Sequence, residues 1–439
     1  MTAPDPYFPS HGDARYTVDH YDLALRYKVA TNRLRGRATL TVRALADLAT
    51  LRVDLAGLEV GALHVDGARP RKFSHDARAV TIRLARPLAA GTTAELTIDY
   101  SGKPRGVPGP FGVAGWEELA DGVLVASQPY GAPSWFPCND FAGDKATFTF
   151  AVTAEAGYAV VANGVLTGRE PRGGSVTWRY AENRPMAPYL ATLHVGRYVT
   201  TPLASGRPRM DLVAPAHVGA VGTPFDRLPA MVAALEGWFG PYPFSEYRCF
   251  VTPDALEIPL EAQGSASFGH NHAADTWDNE RLVVHELAHQ WFGNSVTAAL
   301  GRDIWLHEGF ACYTEWLWSE RRGLASADRR ARDHWTILAG SGDAGDWPLA
   351  EPGVRHMFDD AVYKRGALAL HALRGAVGDE AFFGLLASWC AERAYSCVTT
   401  GDFVAHAQAH TDADLARLFD AWLYRPGLPP LGSTATATR

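Results

Sequence analysis

The sequence lacks the features that would place the protein in a membrane, on a nucleic acid or outside the cell. No apolar run among its 439 residues is long enough to cross a bilayer, so we expect no membrane-spanning helix. The first segment, "MTAPDPYFPSHGDARYTVDHYDL", has no basic stretch followed by an apolar core, so we expect no secretory signal. A formal net charge of -7, with no clustered basic stripe, argues against a nucleic-acid partner.

Cysteine is also scarce. The cysteines are widely scattered, odd in number and free of any C-x-x-C spacing, which favours reduced thiols and a cytoplasmic protein over a disulfide framework. A composition that is 47% hydrophobic and 20% charged excludes a disordered or fibrous chain. We therefore expect a soluble globular protein that is long enough for two or three domains.

Two patterns of apolar residues divide the chain. In the first part these residues alternate, as in "YDLALRYKV", "ATLTVRAL" and "ATFTFAVTA", which predicts strands separated by turns. Later they recur every three or four residues, which predicts helices at 225–239, 278–292, 306–321, 362–375 and 414–424. The predicted fold class is α+β: an antiparallel, sandwich-like β domain at 1–203, a mainly helical domain at 204–431 and a disordered tail at 432–439.

The most informative stretch is "VVHELAHQWFGNSV", residues 283–296. His285 and His289 are four residues apart, so on a helix their Cβ atoms lie about 6 Å apart on one face and the imidazoles can chelate one metal ion. A catalytic zinc site needs a third protein ligand and an open position for water. Glu286 is the candidate base for the proton of that water. Alone, H-E-x-x-H is a moderate indication, since chance also produces it.

The third ligand is expected from a second helix. The segment "GRDIWLHEGFACYTEWLWSE" has helical spacing, with Asp303 placed to cap its start. Glu308 falls in the first turn, and eighteen residues separate it from His289, which is enough for a loop and a return helix. The alternative for Glu308 is a solvated carboxylate favoured by the helix dipole.

These motifs together resemble the gluzincin metallo-aminopeptidases, the family of aminopeptidase N and leukotriene hydrolase. The resemblance rests on H-E-x-x-H with the later "WLHEGFA", and on "WFGPYPF", "YKRGA", "FDAWLYRPGLPPL" and "QPYGAPSWFPCND". It implies a thermolysin-like catalytic domain after the β domain and one Zn²⁺ per chain. It also implies a short form whose cleft is more open or is closed by a partner subunit, because longer members continue into a C-terminal helical domain that covers the active site.

The resemblance assigns roles to the motif residues. His285, His289 and Glu308 would bind the zinc ion, and Glu286 would act as general base for the metal-activated water. Tyr363, in "YKRGA", would donate a hydrogen bond to the oxyanion of the reacting carbonyl. The alternative for Tyr363 is an aromatic side chain packed in the core.

An aminopeptidase must also hold a free α-amino group, which offers only hydrogen-bond donors. The segment "EIPLEAQG" resembles a degenerate form of the family's G-x-M-E-N, which puts Glu261 at the amine-binding glutamate and leaves Glu257 as a rival in the wrong register. Gln128, nine residues before Pro137, matches a second amine-binding position of the family. Its alternative is a polar loop residue.

Three further positions need interpretation. His307 replaces the family's usual Asn; adjacent helical residues point about 100° apart, which favours a histidine that supports the ligands or lies at the surface over a fourth ligand. Arg365 replaces the lysine of Y-x-K-G-A and keeps its charge. Glu315 lies on a face similar to that of Glu308 and would orient a histidine ligand.

Three hypotheses for the function follow. The first is a zinc aminopeptidase that removes N-terminal residues from peptides with a free amine. The second is an open-cleft endopeptidase or a related hydrolase of non-peptide substrates, and the third is a non-catalytic scaffold stabilised by zinc. Glu286 and Tyr363 favour the first, since a scaffold needs only the ligands. We expect no nucleic-acid or membrane partner; an oligomer is compatible with the sequence but is not indicated by it.

Overall fold

The computed structural model describes residues 5–341 and 345–431, so the predicted tail at 432–439 lies outside the described residues. The chain forms two compact units. The first comprises the residues up to Gly219 together with Phe244–Asn271. The second comprises Ala220–Pro243 together with the residues from His272 onward. The predicted division between residues 203 and 204 stays a prediction.

The first unit is built from strands, as its alternating sequence predicts. In order they are β1 Tyr16–Lys28, β2 Arg33–Ala44, β3 Leu48–Asp54, β4 Glu59–Val65, β5 Lys72–His75, β6 Ala79–Leu88, β7 Thr93–Gly102, β8 Val107–Gly109, β9 Gly112–Leu119, β10 Gly122–Ala126, β11 Ala146–Glu155, β12 Ala159–Ala162, β13 Val165–Arg172, β14 Ser175–Met186, β15 Leu193–Gly196, β16 Val199–Ala204, β17 Arg209–Ala214, β18 Glu246–Thr252, β19 Leu260–Ala262 and β20 Ser265–Gly269. In β1, for example, Leu23 and Leu25 are buried while Ala24 and Arg26 between and after them are exposed.

These strands form several sheets around one core. The largest has the order β13-β14-β11-β1-β2-β7-β4, and only β1 and β11 pair in parallel within it. A second sheet has the order β12-β15-β10-β9-β8, and a third has the order β3-β6-β5. Buried side chains of all three sheets belong to one hydrophobic cluster. The predicted β-rich N-terminal part is thereby confirmed.

A further sheet of the first unit, in the order β16-β17-β18-β20-β19, carries Glu261 on β19. A two-residue turn joins β19 to β20, and Gly264 occupies it with φ of +74°, a backbone conformation that glycine adopts without strain. In this hairpin Glu261 pairs with Ala266. The sheet contains the sequences "RMDLVA" and "EYRCFVT". These strands come after residue 204 in the sequence, but they belong to the first unit.

The second unit is mainly helical, which confirms the predicted class. Its helices are α1 Leu228–Phe239, α2 Trp277–Ala288, α3 Trp305–Arg321, α4 Ala327–Ser341, α5 Asp360–Val377, α6 Asp379–Glu392, α7 Thr400–Ala409 and α8 Ala416–Phe419, followed by a π-helical segment Asp420–Tyr424. Two short strands, β21 Thr297–Ala298 and β22 Cys397–Val398, pair in parallel. Each predicted helical segment contains a helix, whereas α4, α6 and α7 were not predicted. Within residues 5–341 and 345–431, no helix has the length and apolar character needed to cross a membrane.

Helix α3 begins differently from the prediction. Ile304 precedes its first residue and makes no side-chain cap, so the predicted cap by Asp303 is wrong. Asp303 lies in a 3-10 turn, and its Oδ1 instead accepts hydrogen bonds from the backbone N–H and the hydroxyl of Thr400, at 3.0 and 2.6 Å. The carboxylate thus joins the start of α3 to the start of α7.

Helices α3 and α5 cross at a pair of glycines. A Cβ atom on Gly309 would lie 2.8 Å from Cα of Gly366, closer than any ordinary contact, so only glycine fits at this crossing. The crossing follows Glu308 directly in α3, and it lies three residues after Tyr363 in α5. The close approach of the two backbones therefore fixes the positions of both predicted site residues within the second unit.

Candidate active site

Three buried side chains from the end of α2 and the start of α3 converge on one point. Nε2 of His285 lies 3.4 Å from Oε2 of Glu308, and Nε2 of His289 lies 3.5 Å from the same oxygen. Ligand atoms held about 2.0–2.1 Å from a tetrahedral zinc ion lie roughly 3.3–3.4 Å from one another. The two separations from Glu308 therefore fit a shared zinc ion, and all three ligand atoms lie within 4.8 Å of one another, which leaves a fourth position for water or substrate.

The second nitrogen of each imidazole has a hydrogen-bond partner. Nδ1 of His285 lies 2.8 Å from Oε1 of Glu315, and Nδ1 of His289 lies 3.0 Å from the backbone oxygen of Phe292. A carbonyl or carboxylate oxygen can only accept, so in the neutral ring, the form that binds a metal, each Nδ1 is the nitrogen that carries the proton. The Nε2 lone pairs are thereby directed at the common point, as metal-binding histidines require.

Charges inside the cluster favour a cation. Burial opposes ionisation of Glu308, but His289 and His285 outweigh it and hold the pKa of this carboxyl well below its usual range. Burial likewise opposes charge on His285, but hydrogen bonds to Glu308 and Glu315 raise its pKa to about 9. The carboxylates of Glu308 and Glu315 are ionised at neutral pH. A divalent cation therefore competes only with protons on the imidazole nitrogens.

Glu286 is next to a triad residue in sequence, and Tyr363 contacts a triad residue in space. Glu286 is buried in α2, directly after His285. Tyr363 is half-buried in the first turn of α5, and its ring stacks against that of His285 with the centroids 6.0 Å apart. The alternative of a fully core-packed Tyr363 does not hold, because the side chain remains partly accessible.

The two substituted family positions have structural partners. His307 is buried, which excludes the surface alternative, and its Nε2 accepts a hydrogen bond from the backbone N–H of Ala298 at 2.7 Å. Arg365 is also buried, and its guanidinium donates to the backbone oxygens of Trp347, at 2.9 Å, and Trp422, at 3.3 Å. Burial lowers the pKa of Arg365 to about 10, so it keeps its charge at neutral pH and binds chain segments together.

The two residues predicted to bind an amine lie together in the first unit. Nε2 of Gln128 donates a hydrogen bond to Oε1 of Glu261 at 2.8 Å, across 133 positions of sequence. Glu261 is buried on β19, and Gln128 is half-buried beside the cis peptide bond to Pro129. Both side chains carry oxygens that accept hydrogen bonds, which is what an ammonium group requires. Glu257, the rival in the wrong register, is exposed.

Some residues that support the metal ligands were not predicted from the sequence. Nη1 of Arg281 lies 3.3 Å from Oε2 of Glu315, and Nζ of Lys364 lies 3.4 Å from Sγ of Cys312. Burial opposes ionisation of Glu315, but Lys364 and His285 outweigh it and lower its pKa to about 2. Arg281 precedes His285 by one helical turn, a spacing that could have indicated it. The backbone oxygen of Phe292 has no signature in a sequence.

Comparison with known proteins assigns the chain to a family. Residues 236–422 match the profile described as "Peptidase family M1 domain", and residues 17–190 match the "Peptidase M1 N-terminal domain". An M1 zinc metallopeptidase from Deinococcus radiodurans is similar in structure, with a TM-score of 0.89, 34% identity and coverage of 98% of this chain and 99% of that one. A mutant of that enzyme bound to a Tyr-Ser-Ala substrate is similar at a TM-score of 0.89, 33% identity and the same coverage.

Curated relatives are more distant. A leucyl aminopeptidase from Saccharolobus solfataricus is 23% identical over 96% of this chain and 55% of its own length. The endoplasmic reticulum aminopeptidase 1 of Mus musculus is 24% identical over 83% of this chain and 43% of its own length. The chain thus spans about half the length of these relatives. It belongs to the M1 family of zinc metallopeptidases, which confirms the predicted family, enzyme class and zinc cofactor.

Proposed function

We propose that this chain is a zinc-dependent aminopeptidase that removes N-terminal residues from peptides with a free α-amine. The hydrogen bond between Gln128 and Glu261 carries the proposal, because it joins the two acceptor groups that an amine-binding subsite needs. The curated relatives named above are aminopeptidases by name, which supports the same activity. The proposal assigns the metal triad and the amine subsite to one reaction.

The metal would be held by His285, His289 and Glu308, whose three ligand atoms have the spacing of a zinc site. Zinc bound there supplies a Lewis acid that polarises the peptide carbonyl and lowers the pKa of water towards 7. Glu315 and the carbonyl of Phe292 fix which nitrogen of each imidazole is available. The chain thereby directs two imidazole nitrogens and one carboxylate at the same point.

Proton transfer is proposed for Glu286. A carboxylate next to a metal ligand can take a proton from the attacking water and give it to the amine that leaves when the peptide bond breaks. Glu286 is buried, so its carboxylate is shielded from bulk water during both transfers. In the same reaction the phenol of Tyr363 would donate a hydrogen bond to the carbonyl oxygen as negative charge develops on it.

The amine subsite would decide which bond is hydrolysed. Glu261 contributes a negative charge and Gln128 an amide oxygen, so together they accept hydrogen bonds from an α-ammonium group. If the amine subsite and the metal triad act in one reaction, as proposed, hydrolysis is confined to the first peptide bond. An acetylated peptide carries neither the charge nor the donors, and it would lose this interaction.

The test is hydrolysis of aminoacyl anilides that differ only in whether the α-amine is free or acetylated. We expect the free-amine compounds alone to be cleaved, with loss of cleavage on zinc chelation and recovery when Zn²⁺ is added back. Equal cleavage of the acetylated compounds would mean that Gln128 and Glu261 do not select the substrate. Cleavage that survives complete zinc removal would overturn the proposal.

A further inference from the structure

A second cluster of metal-binding side chains lies in the second unit, away from the triad in sequence. Glu392 is the last residue of α6, His406 lies in the last turn of α7, and His410 is the residue that ends α7. Nδ1 of His406 lies 3.7 Å from Oε2 of Glu392, and Nε2 of His410 lies 3.9 Å from Oε1 of the same carboxylate. The two imidazole centroids are 4.1 Å apart. The geometry thus brings two nitrogens and one carboxylate together.

The neighbours of His406 fix which of its nitrogens carries a proton. The hydroxyl of Ser388 donates to the backbone oxygen of Leu385 at 2.9 Å, so its own oxygen is left to accept. Nε2 of His406 lies 2.9 Å from that hydroxyl oxygen and 3.3 Å from the oxygen of Leu385. Nε2 is therefore the protonated nitrogen in the neutral ring. The lone pair of Nδ1 faces Glu392.

The same holds for His410. Its Nδ1 lies 2.8 Å from the backbone oxygen of His406, which can only accept, so Nδ1 carries the proton. The lone pair of Nε2 then faces Glu392. With neutral rings, three acceptor atoms meet and none of them can donate to another. A cation between them resolves this conflict, and both imidazoles are already oriented by a hydrogen bond at the opposite nitrogen.

The surroundings modify the affinity for a cation. Glu392 and His410 lie at the carboxyl ends of two helices, where the helix dipoles favour positive charge. Arg393 opposes this, because its positive charge follows Glu392 directly and lies over the ring of Trp389. The side chain of Glu392 is 57% exposed and that of His410 32%, so a metal ion can enter and water can complete its coordination. We therefore expect weaker binding than at the buried triad.

We propose that Glu392, His406 and His410 form a second zinc site that ties the end of α6 to the end of α7. Two imidazole nitrogens and one carboxylate are a ligand set that suits zinc. The present separations exceed the roughly 3.3–3.4 Å between ligands of tetrahedral zinc. The exposed Glu392 side chain can close this gap by a small change of rotamer, since within the described part of the chain its carboxylate contacts only these two histidines.

Equilibrium dialysis of the zinc-loaded protein against increasing Zn²⁺ tests the proposal, with bound metal measured by elemental analysis. We expect the wild type to take up a second equivalent more weakly than the first. His410→Ala and Glu392→Gln should each weaken the second equivalent at least about tenfold and leave the first unchanged. His217→Ala, which removes an exposed histidine of the first unit, is the matched control and should bind both equivalents.

A thermal melt of the same proteins gives an independent readout. Ligand that binds only the folded state raises the melting temperature, so Zn²⁺ beyond the first equivalent should raise that of the wild type and of His217→Ala but not that of His410→Ala. Binding that stops at one zinc per chain would overturn the proposal. So would a second zinc whose affinity is the same in wild type, His410→Ala and Glu392→Gln, since that ion would lie elsewhere.

Discussion

Glu315 lies 2.8 Å from Nδ1 of His285, while Glu308, on the same helix, lies 3.4 Å from Nε2 of that ring. One helix, α3, therefore contacts both nitrogens of a single imidazole. The two carboxylates are seven residues apart, which places them two helical turns apart on one face. Glu308 is thus positioned to share a metal with His285, and Glu315 to determine how the ring is oriented and protonated.

The first prediction concerns this support. Glu315→Gln should lower zinc affinity about 10- to 100-fold, because an amide accepts the hydrogen bond from His285 less strongly than a carboxylate does. Competition with a chelator of known affinity measures the effect. Glu320→Gln, an exposed change on the same helix, is the control and should bind zinc like the wild type. If Glu315→Gln also binds zinc normally, the contact does not support the ligand.

The second prediction concerns the oxyanion. Tyr363→Phe should lower kcat by about two to three powers of ten with little change in KM, since it removes one donor that acts mainly in the transition state. Zinc content should not change. Tyr424→Phe changes an exposed tyrosine and should leave kcat unaltered. A full loss of zinc in Tyr363→Phe would show instead that the ring, stacked on His285, maintains the metal site.

The third prediction concerns the amine. Glu261→Gln keeps the shape of the side chain but removes its charge. A hydrogen bond to a charged group contributes about 1.5–3 kcal/mol, so kcat/KM for a free-amine anilide should fall by roughly ten- to hundredfold. Gln128→Ala should have a smaller effect in the same direction. Glu257→Gln is the matched control, because it changes an exposed glutamate four residues away. Activity of Glu261→Gln equal to that of the control would remove Glu261 from the amine subsite.

The fourth prediction concerns stability and pH in the first unit. Glu182 is buried on β14, and burial raises its pKa to about 7 despite a hydrogen bond from the backbone N–H of Arg184. Its ordinary pKa is 4.5. A carboxyl whose pKa is higher in the folded state stabilises that state when the pH is below its unfolded-state pKa. This contribution is lost as the pH rises through the folded-state pKa.

Glu182→Gln removes that titration. The variant and the wild type should have similar unfolding free energies near pH 4.5, and the variant should be the more stable by up to about 3 kcal/mol at pH 8. Chemical denaturation of the full chain at both pH values measures this difference. A difference between the two proteins that does not change with pH would mean that Glu182 does not titrate in this range.

Some of this arrangement could be predicted from sequence because it depends on local geometry. His285 and His289 are one helical turn apart, so their convergence follows from the helix alone. Glu308 requires a loop and a second helix, and its approach depends on the crossing of Gly309 and Gly366, which the motif does not indicate. The meeting of Gln128 and Glu261 across 133 positions was expected only from a family resemblance.

Other features could not be predicted, because long-range packing decides them. Helix α4 has a largely polar sequence and lacks a wide apolar stripe; ion pairs such as Arg329 to Asp333 and Arg332 to Asp328 support it. Asp303 had the spacing of a helix cap, but Thr400 from a distant helix supplies the donors that it accepts from. The spacing of residues in a sequence indicates which local hydrogen bond a side chain can make. It does not indicate a partner from a distant segment, such as Thr400, that replaces that bond.

The most direct test of the account compares zinc content and turnover in the wild type and in Glu286→Gln, using one free-amine aminoacyl anilide. Glu286 is proposed as the base and not as a ligand, so both proteins should contain the same amount of zinc. Turnover of the variant should fall by about two to four powers of ten, the usual contribution of a general base. A variant that keeps its turnover, or one that loses its zinc, would contradict the assignment.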